Sequence, residues 1–489
     1  MKTHKQQHRA ILSRIAHQAM LDRGLLPEFS ADVLNELDQI QGPANLNGKG
    51  IHDLRHLLWS SIDNEDSRDL DQLTAAEALP DGKAKIYVAI ADVDALVKKN
   101  SAIDLHAAHN TSTVYIPGRN FSMLPERLST DYTSMNPHED RLSVVIEMTL
   151  DGKGLLTESS ISRAAVRNHA QLDYNSVAAW LDGEQPIPQE ITLVPGLAES
   201  IRLQDAVAEK MKNFRHFQGA LSLETIEARL QFEGDQLSSL ENDEKNRAKQ
   251  IIEDFMIAVN GVVARFLVEH NFPSIRRVVH SPKRWDRIVE LAEEYGAALP
   301  AKPDSIALEK FLNQQKAADP LRFPDLSLAV VKLLGAGEYT ADLPGDNPPG
   351  HFGLAVKDYA HSTAPNRRYT DLITQRLVKA ALEKSPVPYS LKELQTLARQ
   401  CTVMENAVNK VERQVNKSAE ALLLGSRIGE QFEAIVTGAA EKGTWVRLLS
   451  MPVEGKLMQG TEGLDVGKRI RVQLKAVNVE KGFIDFVRR

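Results

Sequence analysis

The chain changes character near residue 428, and that change limits the folds it can adopt. Between residues 391 and 424 the apolar side chains recur at helical spacing with no internal proline, which predicts one long helix. The segment from 428 to 489 instead alternates short strand-like runs with turns. A long helix followed by a compact set of strands predicts a separate β-rich domain at the C-terminal end.

Five strand-like runs in this last segment match the number and length of the strands in an OB-fold β-barrel. They cover residues 429–438, 443–448, 453–457, 468–474 and 482–487. The runs carry five basic residues and one tryptophan: Arg447, Lys456, Lys468, Arg469, Arg471 and Trp445. Because positive charge follows a phosphate backbone and an aromatic ring stacks on a base, we expect this barrel and Trp445 to bind RNA. An unrelated small barrel is the alternative.

At 489 residues the chain is expected to divide into two to four domains. Residues 51–425 mix strand and helix patterns, and we predict one mixed α/β domain there. Strands are predicted at 86–93 and 142–150, and helices at 251–267 and 369–382. This central region is long enough to bury the main core of the chain.

Residues 1–50 are predicted to form a small helical module. Apolar residues recur at helical spacing over 11–20, and a second helix fits 29–40 with Ser30 as its N-cap. Because basic side chains lie nearby, one interpretation is a helix-turn-helix that contacts RNA. The other interpretation is a helical cap on the next domain. The pattern alone favours neither.

Composition narrows the class of protein. No stretch of about 18 apolar residues exists, which excludes a membrane-spanning helix, and the basic N-terminal segment lacks the apolar core of a secretory signal. Cys401 is the only cysteine, so an intrachain disulfide cannot form. These features predict a cytoplasmic protein. The formal net charge of −7 is compatible with an acidic metal cluster inside a basic channel.

An acidic segment, IDNEDSRDLD at residues 62–71, places five carboxylates within nine positions. Such density is self-repulsive unless a cation offsets it, and oxygen ligands of this kind suit Mg²⁺ or Mn²⁺. The alternative is a solvated acidic loop, against which the apolar residues Ile62 and Leu70 argue. A calcium loop of the EF-hand type is excluded because Arg68 stands where that loop requires glycine. The residue chemistry leaves the metal site and the solvated loop open.

A pair of arginines, Arg367 and Arg368, stands at the predicted start of the helix over 369–382. A guanidinium beside the free amides of a helix N-terminus suits a phosphate group. The alternative is a surface arginine pair that forms ion pairs with Asp371, and that alternative is favoured when the segment is considered alone.

Eight segments taken together resemble the ribonuclease II (RNB) family of exoribonucleases and follow the order of that family. They are residues 62–71, 90–93 (IADV), 112–117 (STVYIP), 123–129 (MLPERLS), 141–148 (RLSVVIEM), 251–260 (IIEDFMIAVN), 351–354 (HFGL) and 364–371 (APNRRYTD). The resemblance covers roughly residues 55–420, and the C-terminal barrel is similar to the S1 RNA-binding domain that ends these enzymes. It implies a mixed α/β RNB domain.

The resemblance implies a processive 3′→5′ exoribonuclease. Such an enzyme hydrolyses single-stranded RNA to nucleoside 5′-monophosphates and a short end product, with Mg²⁺ (or Mn²⁺) assisting the attack of water. It further implies a monomer without an organic cofactor. A catalytically silent RNA-binding regulator on the same fold is the alternative; a phosphatase for small phosphate esters and a scaffolding protein fit the barrel and the acidic cluster less well.

By this resemblance the metal-site residues are Asp63, Asp69, Asp71 and Gln72, with Asp71 indispensable to catalysis. The family usually has a fourth aspartate where Gln72 stands, so the charge of the site is lower by one. Metal affinity, metal choice and the number of bound ions are therefore left open.

The resemblance also assigns residues that contact RNA. Arg367 corresponds to the arginine at the scissile phosphate, and Glu412 to a glutamate near the leaving nucleotide. Tyr115 and Tyr174 correspond to tyrosines at the 3′-terminal bases, with core packing as the alternative. The further RNA-binding candidates are Arg368 and a carboxylate that accepts from the ribose 2′-hydroxyl, either Glu253 or Asp254.

Besides Gln72, four features depart from the family pattern. Asn366 stands where isoleucine is usual, and Gln375 where histidine is frequent. Residues 1–50 are too few for the cold-shock barrels that precede the RNB domain in large members. No aromatic residue that clamps the base stack is evident at 219–223. The last two departures leave the length of the end product open.

Overall fold

The computed structural model describes residues 8–224, 227–243, 245–346, 348–440, 443–464 and 466–489. The helices in these ranges are α1 His8–Leu21, α2 Ala31–Gln39, α3 Ala102–Asn110, α4 Tyr174–Leu181, α5 Gln189–Thr192, α6 Leu197–Phe217, α7 Arg247–Glu269, α8 Trp285–Glu294, α9 Ser305–Ala318, α10 Phe323–Leu334, α11 Tyr369–Leu382 and α12 Leu391–Leu424. Within these ranges no helix combines the length and the apolar character needed to cross a bilayer.

The strands are β1 Ile51–Asp53, β2 Ser60–Asp63, β3 Gln72–Ala78, β4 Ala84–Ala91, β5 Val114–Ile116, β6 Arg119–Phe121, β7 Asp140–Leu150, β8 Leu156–Arg167, β9 Ala170–Asp173, β10 Glu227–Glu233, β11 Gln236–Asp243, β12 Ser274–Val278, β13 Glu338–Asp342, β14 Gln431–Ala440, β15 Gly443–Leu448, β16 Glu454–Gln459, β17 Arg469–Asn478 and β18 Phe483–Arg488. They form one large sheet, three two-stranded sheets and one closed barrel.

The large sheet has seven strands in the order β1-β8-β7-β4-β3-β2-β9. Its inner pairs are antiparallel, whereas β1 and β9 join the two edges in parallel. Strand β4 lies in the middle and is buried along nearly its whole length, because side chains of α6, α7 and α11 share one hydrophobic core with the sheet. The predicted strand at 86–93 corresponds to β4, and the predicted strand at 142–150 corresponds to β7.

The two N-terminal helices pack onto the body of the protein in different places. Helix α1 lies in a hydrophobic cluster with α12 and β5, whereas α2 contributes Val33 and Leu37 to the main core beside α3. Ser30 caps α2 as predicted, and its Oγ accepts from the Val33 amide at 3.4 Å. These contacts are those of a helical cap, one of the two interpretations that the sequence left open.

Helices α8, α9 and α10 lie between β12 and β13 in the sequence and have a hydrophobic cluster of their own. This small helical unit is attached to the C-terminal barrel by an ion pair, in which Arg447 Nη2 lies 2.9 Å from Asp325 Oδ2. Arg447, predicted to add positive charge for RNA, is thus largely neutralised by Asp325.

The C-terminal barrel closes in the order β14-β15-β16-β18-β17, which confirms the prediction of five strands. Four of the five neighbouring pairs are antiparallel, and β16 pairs with β18 in parallel. The end of α12 inserts Ala421 and Leu424 into the barrel core. The long predicted helix therefore connects the barrel to the main domain by direct packing.

A network of buried ion pairs fixes α11 against the end of β4. Lys379 Nζ lies 2.6 Å from Asp92 Oδ1 and 2.7 Å from Asp94 Oδ2. The Asp92 carboxylate, which is fully buried, also lies 3.2 Å from Arg163. Gln375 adds two hydrogen bonds, donating to the Ala91 carbonyl and accepting from the Asp94 amide. The departure from the family pattern at Gln375 is thus accommodated by internal hydrogen bonds.

We predict that Lys379→Met lowers the free energy of unfolding by about 3 kcal/mol, because it leaves buried carboxylates without their closest cation. Urea denaturation followed by circular dichroism measures the change. Arg287→Ala, which removes an exposed pair with Glu290 at 2.9 Å, is the control and should stay within about 0.5 kcal/mol of wild type. Equal effects of the two variants would contradict a structural role for the buried network.

Candidate active site

The acidic segment leads from the end of β2 to the start of β3, its antiparallel neighbour in the large sheet. Strand β2 ends at Asp63, and its parallel neighbour β9 ends at Asp173, the residue opposite it. Helix α4 begins directly afterwards with Tyr174. Because parallel strands end at the same edge of a sheet, Asp63 and Tyr174 are brought to one place. Tyr174 is half-buried, and burial together with the nearby Asp63 raises the pKa of its hydroxyl.

Apolar and polar contacts anchor the segment at both ends. Ile62 and Leu70 are 1% and 2% exposed, as the sequence predicted. The Leu70 amide donates to Ser134 Oγ at 3.0 Å, and the Leu70 carbonyl accepts from the Met135 amide. Asp63 accepts from Ser67 Oγ at 2.9 Å, and burial raises the pKa of Asp63. The segment is therefore held in place at Ile62 and Leu70, unlike a solvated loop.

Asp71 is the most deeply buried carboxylate of the segment, with 2% of its surface exposed. Its Oδ1 accepts from the Asn366 amide at 2.9 Å. Its Oδ2 has no hydrogen-bond donor among the described residues, and the nearest guanidinium nitrogen, Arg367 Nε, is 3.7 Å away. Burial raises the pKa of Asp71 to about 8, and Arg367 opposes only part of that shift.

Tyr115 lies on the hairpin formed by β5 and β6 and contacts two of the predicted acidic residues. Its hydroxyl donates to Asp69 Oδ2 at 2.7 Å, and its amide donates to Glu412 Oε1 at 2.8 Å. Burial raises the pKa of both Tyr115 and Glu412. Glu412 comes from α12, so the hairpin connects that helix to the acidic segment.

The structure thus gathers most of the predicted site residues. The positive charge of Arg367 counteracts the rise in pKa that burial causes in Asp63, Asp71, Tyr115 and Tyr174. The gathered residues are Asp63, Asp69, Asp71, Tyr115, Tyr174, Arg367 and Glu412. The side chain of Arg367 remains 42% exposed, so its guanidinium is available to a ligand.

Arg368 points elsewhere. Its guanidinium donates to Asp371 Oδ1 at 2.7 Å and to Asp371 Oδ2 at 2.9 Å, and only 22% of the side chain is exposed. This is the ion pair with Asp371 that the sequence offered as the alternative, although it is buried and not at the surface. RNA contact by Arg368 stays a prediction.

The structure separates the two candidates on α7. Asp254 is completely buried and forms an ion pair with Arg215. Glu253 is 41% exposed, lies 3.8 Å from Lys245, and lines a cleft of about 600 Å³ between α6 and α7. Among the described residues, the lining of this cleft shares none with the acidic segment. Glu253 is therefore the one of the pair that a ligand can reach.

Two further candidates lie outside the gathered group. Gln72 is the first residue of β3, pairs with Ile90 and is half-buried. Trp445 lies on β15 beside Gly438, half-buried on the barrel. Their predicted roles stay predictions.

Sequence reasoning missed the polar residues that support the site. Asn366 is 1% exposed, and its Oδ1 accepts from Thr133 Oγ1 at 2.5 Å. Its Nδ2 is buried with no acceptor among the described residues. Thr133 and Ser134 come from a segment more than 200 positions before Asn366, and the sequence carries no local signal that pairs these segments.

The donor chemistry of the site fits a divalent cation centred on Asp71. Carboxylate and amide oxygens are hard ligands, and a buried carboxylate oxygen without a donor is stabilised by a cation. In the described part of the chain, however, no three His, Cys, Asp or Glu side chains converge as a ready metal cluster. Asp63 and Asp69 instead accept from Ser67 and Tyr115.

Two models of known protein families match this chain. Residues 51–384 match the RNB domain, and residues 430–489 match the RNase II-type exonuclease C-terminal S1 domain. The chain belongs to the RNB family. The acidic segment, β2, β9 and the start of α11 all lie within the matched RNB domain, and the five-stranded barrel coincides with the S1 match.

Individual relatives agree with this assignment. Ribonuclease R of Escherichia coli (strain K12) is 30% identical over 475 residues, which cover 89% of this chain and 57% of that protein. Ribonuclease R of Aquifex aeolicus (strain VF5) is 32% identical over 411 residues, with 83% and 57% covered. The chain therefore spans little more than half the length of these relatives.

Solved structures show the same fold at lower identity. Mycoplasma genitalium RNase R in complex with ribose methylated single-stranded RNA has a TM-score of 0.87 and 23% identity, covering 97% of this chain and 77% of that one. Yeast Ssd1, described as a pseudonuclease, has a TM-score of 0.68 and 15% identity, covering 89% and 53%. The RNB fold alone therefore does not decide between an active and a silent protein.

We predict that Thr133→Val lowers the free energy of unfolding by about 1–3 kcal/mol, because it removes the donor to the buried Asn366 Oδ1. Thermal unfolding measures the change. Thr130→Val is the control in the same turn, since its hydroxyl donates to the Glu126 carbonyl at an exposed position. Indistinguishable melting temperatures for Thr133→Val and wild type would contradict the importance of this hydrogen bond.

Proposed function

We propose that this RNB-family protein is a divalent-metal-dependent exoribonuclease that degrades single-stranded RNA from the 3′ end. It acts processively, releases nucleoside 5′-monophosphates and leaves a short end product. The observation that carries the proposal is the buried Asp71 carboxyl group inside the matched RNB domain, whose Oδ2 has no hydrogen-bond donor among the described residues and lies 3.7 Å from Arg367. A buried carboxyl group whose charged form has so little compensation is suited to a cation and a phosphodiester arriving together.

Mg²⁺ is the proposed cofactor, with Mn²⁺ as the alternative. The residues that would hold it are Asp71, Asp63, Asp69 and Gln72, all of which offer oxygen atoms. When bound, the cation supplies positive charge that offsets the phosphodiester and lowers the pKa of a water molecule. Asp71 Oδ2 is available for this role because no protein donor occupies it among the described residues.

Arg367 is the proposed phosphate ligand. Its guanidinium is partly exposed and lies beside Asp71, so a phosphate bound there meets two N–H donors of fixed geometry. Glu412 is proposed to act near the leaving nucleotide. Its Oε1 is fixed by the Tyr115 amide, which places the second oxygen of the carboxylate next to the same hairpin.

Tyr115 and Tyr174 are proposed to pack against the 3′-terminal bases. The hydrogen bond from the Tyr115 hydroxyl to Asp69 fixes the ring orientation. Every base has a π-face on which an aromatic ring can stack, so binding by the two tyrosines does not depend on the RNA sequence. Stepwise degradation requires such binding. Trp445 adds a stacking surface on the barrel, and Glu253 is the proposed acceptor for a ribose 2′-hydroxyl.

The names of the relatives support an RNA substrate. The full-length relatives are ribonucleases R, and the Mycoplasma genitalium protein has been solved with single-stranded and with double-stranded RNA. We propose single-stranded RNA as the macromolecular partner of this chain, with no organic cofactor, a monomeric state and a cytoplasmic location. The last fits a single cysteine, Cys401, that is buried in α12.

We predict that wild type with Mg²⁺ shortens a 5′-labelled poly(A) oligonucleotide to a ladder and then to a short limit product. Asp71→Asn should slow this degradation at least a thousandfold, because the amide carries no charge for the cation. Denaturing gel electrophoresis of a time course measures both. The label distinguishes direction, since attack from the 5′ end releases it at once as a mononucleotide.

Asp286→Asn, the same change at an exposed position on α8, is the matched control and should degrade RNA at the wild-type rate. If the wild-type protein binds the oligonucleotide but does not shorten it with Mg²⁺ or with Mn²⁺, the enzyme proposal is wrong. The protein would then be a silent RNA binder. Hydrolysis of a mononucleotide ester without hydrolysis of RNA would indicate a phosphatase.

We predict that Gln72→Asp lowers the Mg²⁺ concentration for half-maximal activity roughly tenfold, equivalent to about 1.4 kcal/mol, because it adds a carboxylate to the proposed ligand set. Magnesium titration of the initial degradation rate measures the shift. Gln314→Asp, which adds the same charge at an exposed position of α9, is the control. An unchanged half-maximal concentration would remove Gln72 from the proposed site.

A further inference from the structure

The hairpin formed by β5 and β6 is short, and it depends on support from outside. Each of its strands has three residues, and Gly118 in the turn has φ +84°. A two-stranded hairpin of this size is not stable by itself in water. Since Tyr115 lies on β5, the placement of this tyrosine depends on whatever holds the hairpin.

Arg9, near the start of α1, holds the turn of this hairpin. Its Nη1 donates to the Gly118 carbonyl at 3.1 Å, and its Nε donates to the Gly234 carbonyl at 2.9 Å. Gly234 is the turn of the hairpin formed by β10 and β11, and the guanidinium also lies 4.3 Å from the ring centroid of Phe232. One planar guanidinium therefore connects two hairpin turns, a task that its fork of donors allows.

Further contacts support the same surface of the hairpin. Arg119 Nη1 donates to Ser13 Oγ on α1 at 3.1 Å. Leu12 and Ile15 of α1 are buried in one hydrophobic cluster with Val114 of β5. Helix α1 thus contacts the hairpin by apolar packing and by two hydrogen bonds at the hairpin turn.

The other side of the hairpin faces the site. Tyr115 donates to Glu412 of α12 through its amide and to Asp69 through its hydroxyl. The hairpin is therefore supported by both α1 and α12, and of these two helices only α1 carries no residue of the proposed catalytic group.

We propose that Arg9 is a positioning residue that holds the β5–β6 hairpin through the Gly118 carbonyl and so keeps Tyr115 aimed at Asp69. The consequence for RNA rests on the proposed function, because it requires Tyr115 to grip the 3′-terminal bases. Arg9 is one of the basic side chains of the N-terminal helical module, and in this role its guanidinium binds carbonyl groups of the protein.

The first test measures the hairpin itself and is independent of any activity. Hydrogen–deuterium exchange of residues 114–121 should be at least fivefold faster in Arg9→Ala than in wild type. Arg14→Ala is the control on the same helix, since it removes only an exposed ion pair with Glu480. Exchange of residues 114–121 in Arg14→Ala should match wild type. Unchanged exchange in Arg9→Ala would overturn the proposal even if the protein degrades RNA.

A second variant approaches the contact from the other side. A Cβ at Gly118 would come within 3.0 Å of Arg9 Cγ and Nη1, and the positive φ is strained for alanine. Gly118→Ala should therefore accelerate exchange of the hairpin as Arg9→Ala does. Arg9→Lys, which retains a donor for one carbonyl, should restore part of the protection. Full loss of protection in Arg9→Lys together with normal protection in Gly118→Ala would contradict the assigned contact.

The functional test is a double-mutant cycle with Tyr115→Ala on a single-stranded RNA oligonucleotide. Arg9→Ala should raise KM three- to tenfold and leave kcat within twofold, because the grip of Tyr115 weakens while, in the described part of the chain, Asp71 and Arg367 have no contact with the hairpin turn that Arg9 holds. In the Tyr115→Ala background the same change should leave KM unaltered. An additive rise in KM would show that Arg9 acts by another route, such as direct contact with RNA, and would overturn the proposal.

The RNA-degradation experiment and the hydrogen–deuterium exchange experiment test different proposals and can fail independently. If wild type does not degrade RNA, the proposed function fails while the exchange experiment still decides whether Arg9 holds the hairpin. If degradation is normal and exchange is unchanged by Arg9→Ala, only the positioning role is lost.

Discussion

The buried carboxylate of Asp71 is the constraint on which the rest of the site depends. An anion in the protein interior is costly unless hydrogen bonds or opposite charge offset it. Asp71 has one amide donor from Asn366 and a guanidinium at 3.7 Å. Both groups precede α11, so α11 must be fixed against the sheet, and the ion pairs of Lys379 with Asp92 at the end of β4 do this. The packing of the main core is in this way tied to the geometry around one carboxylate.

Features with a local signal could be predicted from the sequence. Helices α11 and α12 have the predicted bounds, because an uninterrupted apolar period without proline specifies a helix whatever it packs against. The five barrel strands were predictable for the same reason, since alternation and turns are read within a few residues. Ile62 and Leu70 correctly indicated that the acidic segment is anchored, because two apolar residues in such a polar run require burial.

Features that depend on contacts between distant segments could not be predicted. The Asn366 amide and Asp71 are 295 positions apart, and nothing local pairs them. Glu253 and Asp254 are neighbours of equal charge, and the partner of the buried one, Arg215, lies 39 positions away. Family resemblance supplied roles for individual residues, but it did not indicate that the N-terminal helices pack in two different clusters.

The site has two mechanically distinct parts. The carboxylates lie at an edge of the large sheet, where β2, β3 and β9 fix them through the main core. Tyr115 lies on a small hairpin that is supported by α1 and α12. Because a hairpin supported from outside yields more easily than the edge of a seven-stranded sheet, changes in distant packing displace Tyr115 before they displace the carboxylates. Helix α12 also enters the barrel core, so the helix that carries Glu412 packs against both the barrel and the hairpin.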